Sequence, residues 1–414
     1  MDLNKYRAFI YIFDTMEKIS HTHDLSTVFT QENISTIDDK KVFLDEKKLT
    51  LKTILSSTGQ QYNIVQYQKE WIHDDNVHDL GLYRSVIFNN QFDVLSFSPP
   101  KSVIMTNDIL NNDNNNNISV EEFMEGTMIN MFYDKRINDW EIATRSTIGG
   151  NVKFYQHSPD TFNTMFHNTF TEMGINKHDL KKDHCYSFIL QHKGNRIVVP
   201  IETNRLLLAE CYKIDGTMNI ISNYDKELVE KYPLLNINAI AYNNNFDEIR
   251  DQYAKSGFTE YSIMGVVFKD NSTGQRMKLR NPDYEAVRKL RGNQCKDQYN
   301  YLALRRDGNV ATYLKYYPED NKRFSIYREL VHKATSDLYT MYQECYIFKK
   351  AELKTFPSEF KTHMYKLHHE MYLMKLKPDK KTMSLTSVKE YVNSMHPSLL
   401  MHMINRNAKS VITE

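Results

Sequence analysis

A change of period near Cys295 constrains this chain more than any single motif. From Tyr83 to about Leu279, short apolar runs alternate with turn formers, the pattern of antiparallel strands. Ser85–Phe88 and Asp93–Phe97 flank Asn89-Asn90-Gln91. Thr127–Tyr133 and Trp140–Arg145 flank a polar turn at Asp134–Asp139. Tyr186–Leu190 and Arg196–Val199 flank Lys193-Gly194, and Arg205–Ile214 and Thr217–Ile221 flank Asp215-Gly216, a short-turn signal. Ser262–Lys269 and Arg276–Leu279 flank Asp270–Gly274, and a helix is expected at Phe246–Lys255. Beyond Cys295 the spacing becomes three and four: Leu330, Ala334, Leu338, Met341 and Cys345, then Phe360, Met364, Leu367 and Met371. Ser387–Glu390 reads as a capping box opening a third helix that stops before Pro397. The expected class is α+β: a largely antiparallel domain over residues 1–290, followed by an α-helical domain over residues 291–414.

Composition narrows the function classes. With 53 Lys+Arg against 52 Asp+Glu the net charge is +1, so any nucleic-acid surface is a local patch. Cys185, Cys211, Cys295 and Cys345 form no Cys-x-x-Cys pair, which argues against zinc and a disulfide framework and fits a reducing compartment. No run of about 20 apolar residues would cross a membrane, and the amino-terminal MDLNKYRAFIYIF reads poorly as a signal peptide. A cytoplasmic protein is expected. The asparagine run at residues 111–117 reads as a solvated loop. His21-Thr22-His23 and His368-His369 lack further ligands at metal spacing, so packing or surface roles are expected and no metal site is read.

Several short blocks occur in a telling order. Tyr83-Arg84-Ser85-Val86 and Ser98-Pro99-Pro100-Lys101 come first, followed by Phe123-Met124-Glu125-Gly126-Thr127 and Ala143-Thr144-Arg145-Ser146. Phe188-Ile189-Leu190 precedes Asn195-Arg196-Ile197-Val198, and Met264-Gly265-Val266-Val267 precedes Lys278-Leu279-Arg280 with Tyr284. From Leu82 to Tyr284 this series resembles RNA ligases of the phage T4 type, within the covalent nucleotidyltransferases; a catalytically degenerate giant-virus member of that family is suspected. The resemblance implies an RNA-ligase-like nucleotidyltransferase domain. It also implies that Arg84 and Lys101 contact a triphosphate and that the Phe123 tetrapeptide stands where the family has Lys-x-Asp-Gly.

The departures are selective. The nucleophilic lysine has become Phe123, which cannot form a phosphoramide, and the two carboxylates that help hold metal and ribose have become Ile189 and Met264. Mg²⁺ needs oxygen ligands, so no cofactor is expected unless ligation persists. Arg84, Lys101, Arg145, Lys278 and Arg280 remain basic. Such a pocket would bind phosphate without transferring it: a pseudoenzyme holding a nucleotide or an RNA 5′ end, most concretely an mRNA cap, in viral RNA metabolism or translation in a host cytoplasm.

For a cap, Phe123 with Trp140 or Tyr133 would sandwich the base, Glu125 would meet the guanine edge, and Arg84, Lys101, Lys278 and Arg280, with Arg145 and Arg196, would meet RNA or phosphate. Phe123 and Met264 could equally be core residues of a decayed site, and Glu125 could cap a turn. Lys101 could serve as a relocated nucleophile in an active ATP-dependent RNA ligase, with Mg²⁺ as its cofactor. In a third reading the pocket has collapsed and the helical domain docks a protein partner. Lysines from Lys349 to Lys381 are either a solvated face or an RNA backbone track.

Overall fold

The computed structural model describes residues 20–105, 117–155 and 158–405. The amino-terminal stretch and residues 111–116 of the asparagine run lie outside them. The described residues divide into two compact units, one of residues 20–154 and 158–286 and one of residue 155 and residues 287–405. No described helix is long and apolar enough to cross a membrane.

The first unit is α+β, with three mostly antiparallel sheets. A four-stranded sheet runs Leu49–Leu55, Gln61–Tyr67, Val86–Phe88, Val94–Phe97 in spatial order. A six-stranded sheet runs Thr22–Asp24, Asn219–Ser222, Arg205–Lys213, His184–Gln191, Thr127–Asp134, Asp139–Ala143. A five-stranded sheet runs Ala239–Ile240, Ile118–Glu122, Gly265–Asp270, Arg276–Arg280, Val103–Ile104, the last pairing being parallel.

Side chains alternate across a strand, so each sheet has two chemically distinct faces. On the six-stranded sheet, Ile129, Met131, Phe188, Leu190, Leu206 and Leu208 face the helix Phe162–Glu172. That helix buries Phe162, Met165, Phe166 and Phe170, spaced by three and four, and Thr161 caps it by accepting from Thr164 N–H. On the five-stranded sheet, Val120, Val266, Phe268 and Met277 pack with Ile249 of the helix Phe246–Tyr253. The remaining faces of the two sheets meet: Lys269 Nζ of one lies 2.9 Å from Glu210 Oε1 of the other. These inner faces carry the candidate site.

Two expected elements are placed differently. Residues 196–199 form no strand; the chain turns through Lys193–Asn195, and Arg205–Lys213 pairs with His184–Gln191 instead. The helix expected at Ser387 begins at Leu385, because Ser384 is the cap and its Oγ accepts from Ser387 N–H at 3.2 Å.

The second unit is helical. Its longest helix, Asn321–Tyr342, buries Phe324, Val331, Ala334, Leu338 and Tyr342, then widens into a π-helical turn at Gln343–Ile347. The helix Ser358–Lys366 likewise continues as π-helix through Leu367–Leu376. Leu385–Ser394 and Pro397–Ile404 follow.

Candidate phosphate-binding site

The strand Arg276–Arg280 shows why its basic residues share one face. Arg276, Lys278 and Arg280 lie two apart and point inward, while Met277 joins the core behind. Register sets Lys278 against Val267 and Arg280 against Gly265. Gly265 adopts φ +128°, and a Cβ there would press into the Leu279 carbonyl, so a glycine is needed for the two strands to close. Phe123 follows the neighbouring strand, tied by its N–H to Gly265 C=O at 3.0 Å, and the Arg280 guanidinium lies 5.8 Å above its ring.

Three other cations converge on this face. Lys101 is held by its backbone N–H to Gly81 C=O at 2.9 Å. Arg145 donates from Nε to the Arg84 carbonyl at 3.4 Å and lies over the Tyr67 ring. Their electrostatics show the crowding. Burial, then Lys101, Arg280, Arg84 and Arg276, bring the Lys278 ammonium down to about 8. Burial, then Arg84 and Arg280, lower Lys101, while burial and Arg276 lower Arg84. Arg280 is paired with Glu285. Among the described residues no carboxylate pairs with Arg84, Lys101 or Lys278.

Between the inner faces of the two sheets lies an ion quartet that sequence reasoning missed. Lys269 Nζ sits 2.9 Å from both Glu121 Oε2 and Glu210 Oε1, and Arg276 approaches the same two acids at 3.6 and 3.8 Å. Burial opposes the Lys269 charge, but Glu121 and Glu210 outweigh it and raise its pKa. Strand alternation could have revealed it, since Arg276 is two residues before Lys278 and Glu121 two before Phe123.

Of the three apolar residues singled out in the sequence, Ile189 is closely packed. Ile189 is 7 % exposed and clusters with Leu207, Ala209, Ile237, Met124 and Met128. Gly126 fits against it so closely that a Cβ would lie 2.5 Å from Ile189 Cγ2. Mg²⁺ does not fit these residues: Ile189 and Met264 offer no oxygen side chain, and Glu121 and Glu210 are neutralised by Lys269 and Arg276. Among the described residues no three His, Cys, Asp or Glu side chains are grouped to hold a metal.

Three candidates stand apart from the cation face. Glu125 is buried, and its carboxylate accepts from the N–H groups of Ile197, Val198 and Val199 and from the Tyr284 hydroxyl at 2.8 Å. It thus staples residues 197–199 as a loop and has protein donors where a guanine edge was expected. Arg196 donates to the Val198 carbonyl at 3.0 Å within that loop. Trp140, beside Tyr133 and Tyr186, packs on the face covered by Phe162–Glu172, the far side of the sheet from Ile189. The base sandwich of Phe123 with Trp140 or Tyr133 is therefore not assembled: strand parity puts Met128 on the inner face but Ile129, Met131 and Tyr133 on the outer one. His23 packs with Phe97 and Tyr212, and His21 lies 3.1 Å from it.

No protein-family model matches the chain, and no curated protein matches it. Solved structures similar to it include an archaeal ATP-dependent RNA ligase, at 15% identity and a TM-score of 0.41 over 64% of each chain. The match thus spans under two thirds of that ligase. A putative ATP-dependent DNA ligase from Aquifex aeolicus matches at 14% identity and a TM-score of 0.37, over 90% of this chain and 78% of that one. A mutant Naegleria gruberi RNA ligase with ATP and Mn matches at 11% identity and a TM-score of 0.36, over 62% and 84%.

Proposed function

We propose that the cleft of the first unit holds the phosphates of a nucleotide or an RNA 5′ end and does not transfer them. The observation behind this is the set formed by Arg84, Lys101 and Lys278: after burial, Lys101 and Arg84 both lower Lys278, Arg84 lowers Lys101, Arg276 lowers Arg84, and none of the three has a carboxylate partner among the described residues. Such an arrangement costs free energy in the empty protein, and a polyanion relieves it. The nearby positions that would carry nucleophile and metal acids in a ligase are Phe123, Ile189 and Met264. A capped mRNA end is the finer form of the proposal, with Phe123 as the stacking wall left to it.

Calorimetric titration with tripolyphosphate, ATP, GTP and cap analogue tests the proposal. Binding by the wild type that weakens about tenfold or more in Lys101→Ala and Lys278→Ala supports it, since each removes a charge-assisted contact. No binding by any of the four overturns it. A tighter grip on cap analogue than on GTP, lost in Phe123→Ala, would carry the finer form.

One observation favours a second reading. A lysine nucleophile needs a lowered pKa, and Lys101 and Lys278 both have one. Incubation with α-labelled ATP or GTP decides: a covalently labelled band lost in Lys101→Ala or Lys278→Ala means an active nucleotidyltransferase.

A further inference from the structure

We infer that the helical unit carries a separate surface for single-stranded nucleic acid: a tyrosine–histidine ledge surrounded by lysines. The π-helical turns build it. In a π-helix the hydrogen bonds run from i to i+5, so each turn widens and residues four apart lie nearly over one another. Tyr365 and His369 stack with centroids 4.1 Å apart and planes at 28°, and His368 and Tyr372 lie 5.5 Å apart. From the other π-helical turn, Tyr346 stacks on His368 at 3.9 Å and 8°. The inner end is anchored: Tyr342 is 2 % exposed, and its hydroxyl lies 3.3 Å from His368 Nδ1. The outer end is open, with Tyr365 49%, Phe348 57% and Met374 72% exposed.

Charge tells what the ledge suits. Between residues 345 and 381 there are nine lysines and four acids, in a chain whose net charge is only +1. Exposed ion pairs take up Lys354, with Glu352, and Lys381, with Asp379. Lys349, Lys350, Lys375, Lys377 and Lys380 are exposed; Lys350 Nζ lies 5.4 Å over the Phe348 ring, and Lys377 is near enough to His368 to lower its pKa, after burial and His369. A shallow groove of about 400 Å³ beside Tyr346 is lined by Lys349, Lys350, Leu353 and Glu352, the acid paired with Lys354. Flat aromatic faces next to excess cations match a strand that offers one base face and one negative charge per residue. An acidic polypeptide would satisfy the lysines but leave the rings unmatched. Each base stacked on an aromatic side chain contributes enough to be read by substitution. This inference rests on the helical unit alone and is independent of the reading of the cleft.

The test uses the full chain and a fluorescein-labelled oligouridylate of about 12 nucleotides, with anisotropy followed from ~50 to ~200 mM salt. The wild type should bind it, and an unlabelled duplex of equal length should compete poorly. Tyr365→Ala should weaken binding about tenfold. A variant carrying Lys375→Glu, Lys377→Glu and Lys380→Glu should weaken it further and reduce the log–log salt slope by about 2, from ~0.7 per phosphate contact. These side chains are exposed, so circular dichroism and melting temperature should not change. A Lys101→Ala, Lys278→Ala double variant should still bind the oligomer, which separates this surface from the cleft. Wild-type-like binding by both ledge variants, no binding by the wild type, or equal competition from duplex or polyglutamate would each overturn the inference.

Discussion

Ile189 shows at the scale of one side chain how apolar the inner face of the six-stranded sheet is around it. It packs among Leu207, Met124 and Met128, with Gly126 in close approach, so no room is kept for a solvated acid. Ile189→Glu should destabilise the protein by a few kcal/mol, because an ionised carboxylate would enter an apolar cluster without a partner. Urea denaturation checks this, and an unchanged midpoint would mean that the cluster is wet. The apolar character of Phe123, Ile189 and Met264 was legible in the sequence, since it needs only residue identities set against motifs. The role of Glu125 was not. Its donors, the N–H groups of Ile197, Val198 and Val199, lie about seventy residues along the chain, and no local pattern encodes such a partner.

Among the elements, the hairpin of Gly265–Asp270 and Arg276–Arg280 positions the cation face. Gly265→Ala should cost a few kcal/mol, combining strain at φ +128° with a clash against the Leu279 carbonyl. It should also weaken tripolyphosphate binding, because Lys278 and Arg280 ride on the displaced strand. Thermal melting with and without tripolyphosphate reads both effects, and a variant that melts and binds like the wild type would refute the role given to this glycine. Turn chemistry made several hairpins legible: the Asn89 side chain holds its turn by accepting from Gln91 and Asp93 N–H, and Asp215 accepts from Thr217 N–H. The Arg196–Val199 strand failed for a tertiary reason, since the N–H groups of Ile197, Val198 and Val199 go to Glu125 and not to a ladder. The π-helical turns were invisible because apolar spacing of three and four marks a helical face without fixing its hydrogen-bond step.

For the whole molecule, a net charge of +1 conceals segregation: unpaired cations in the cleft of one unit, and a lysine excess in the helices of the other. Long-range attraction to a polyanion is therefore weak, and binding depends on local charge, which pH can adjust. Burial and the surrounding cations bring Lys278 down to about 8, so in the free protein it gives up charge as pH rises from 7 to 9. A bound polyanion of fixed charge favours the protonated form, so its binding near pH 8 takes up a proton, and its affinity falls as pH rises from 7 to 9. The expected loss is several-fold for trimetaphosphate, which, unlike tripolyphosphate, has no proton of its own to lose between pH 7 and 9, and it is read by titration calorimetry in buffers of differing ionisation enthalpy. Lys278→Arg is the decisive variant, because a guanidinium stays charged throughout this range. It should bind at least as well at pH 9 as the wild type does at pH 7, with a flatter pH profile. A wild-type profile flat from pH 7 to 9 would show that Lys278 does not carry ligand charge, whereas a steep profile that survives in Lys278→Arg would move the titrating group to Lys101.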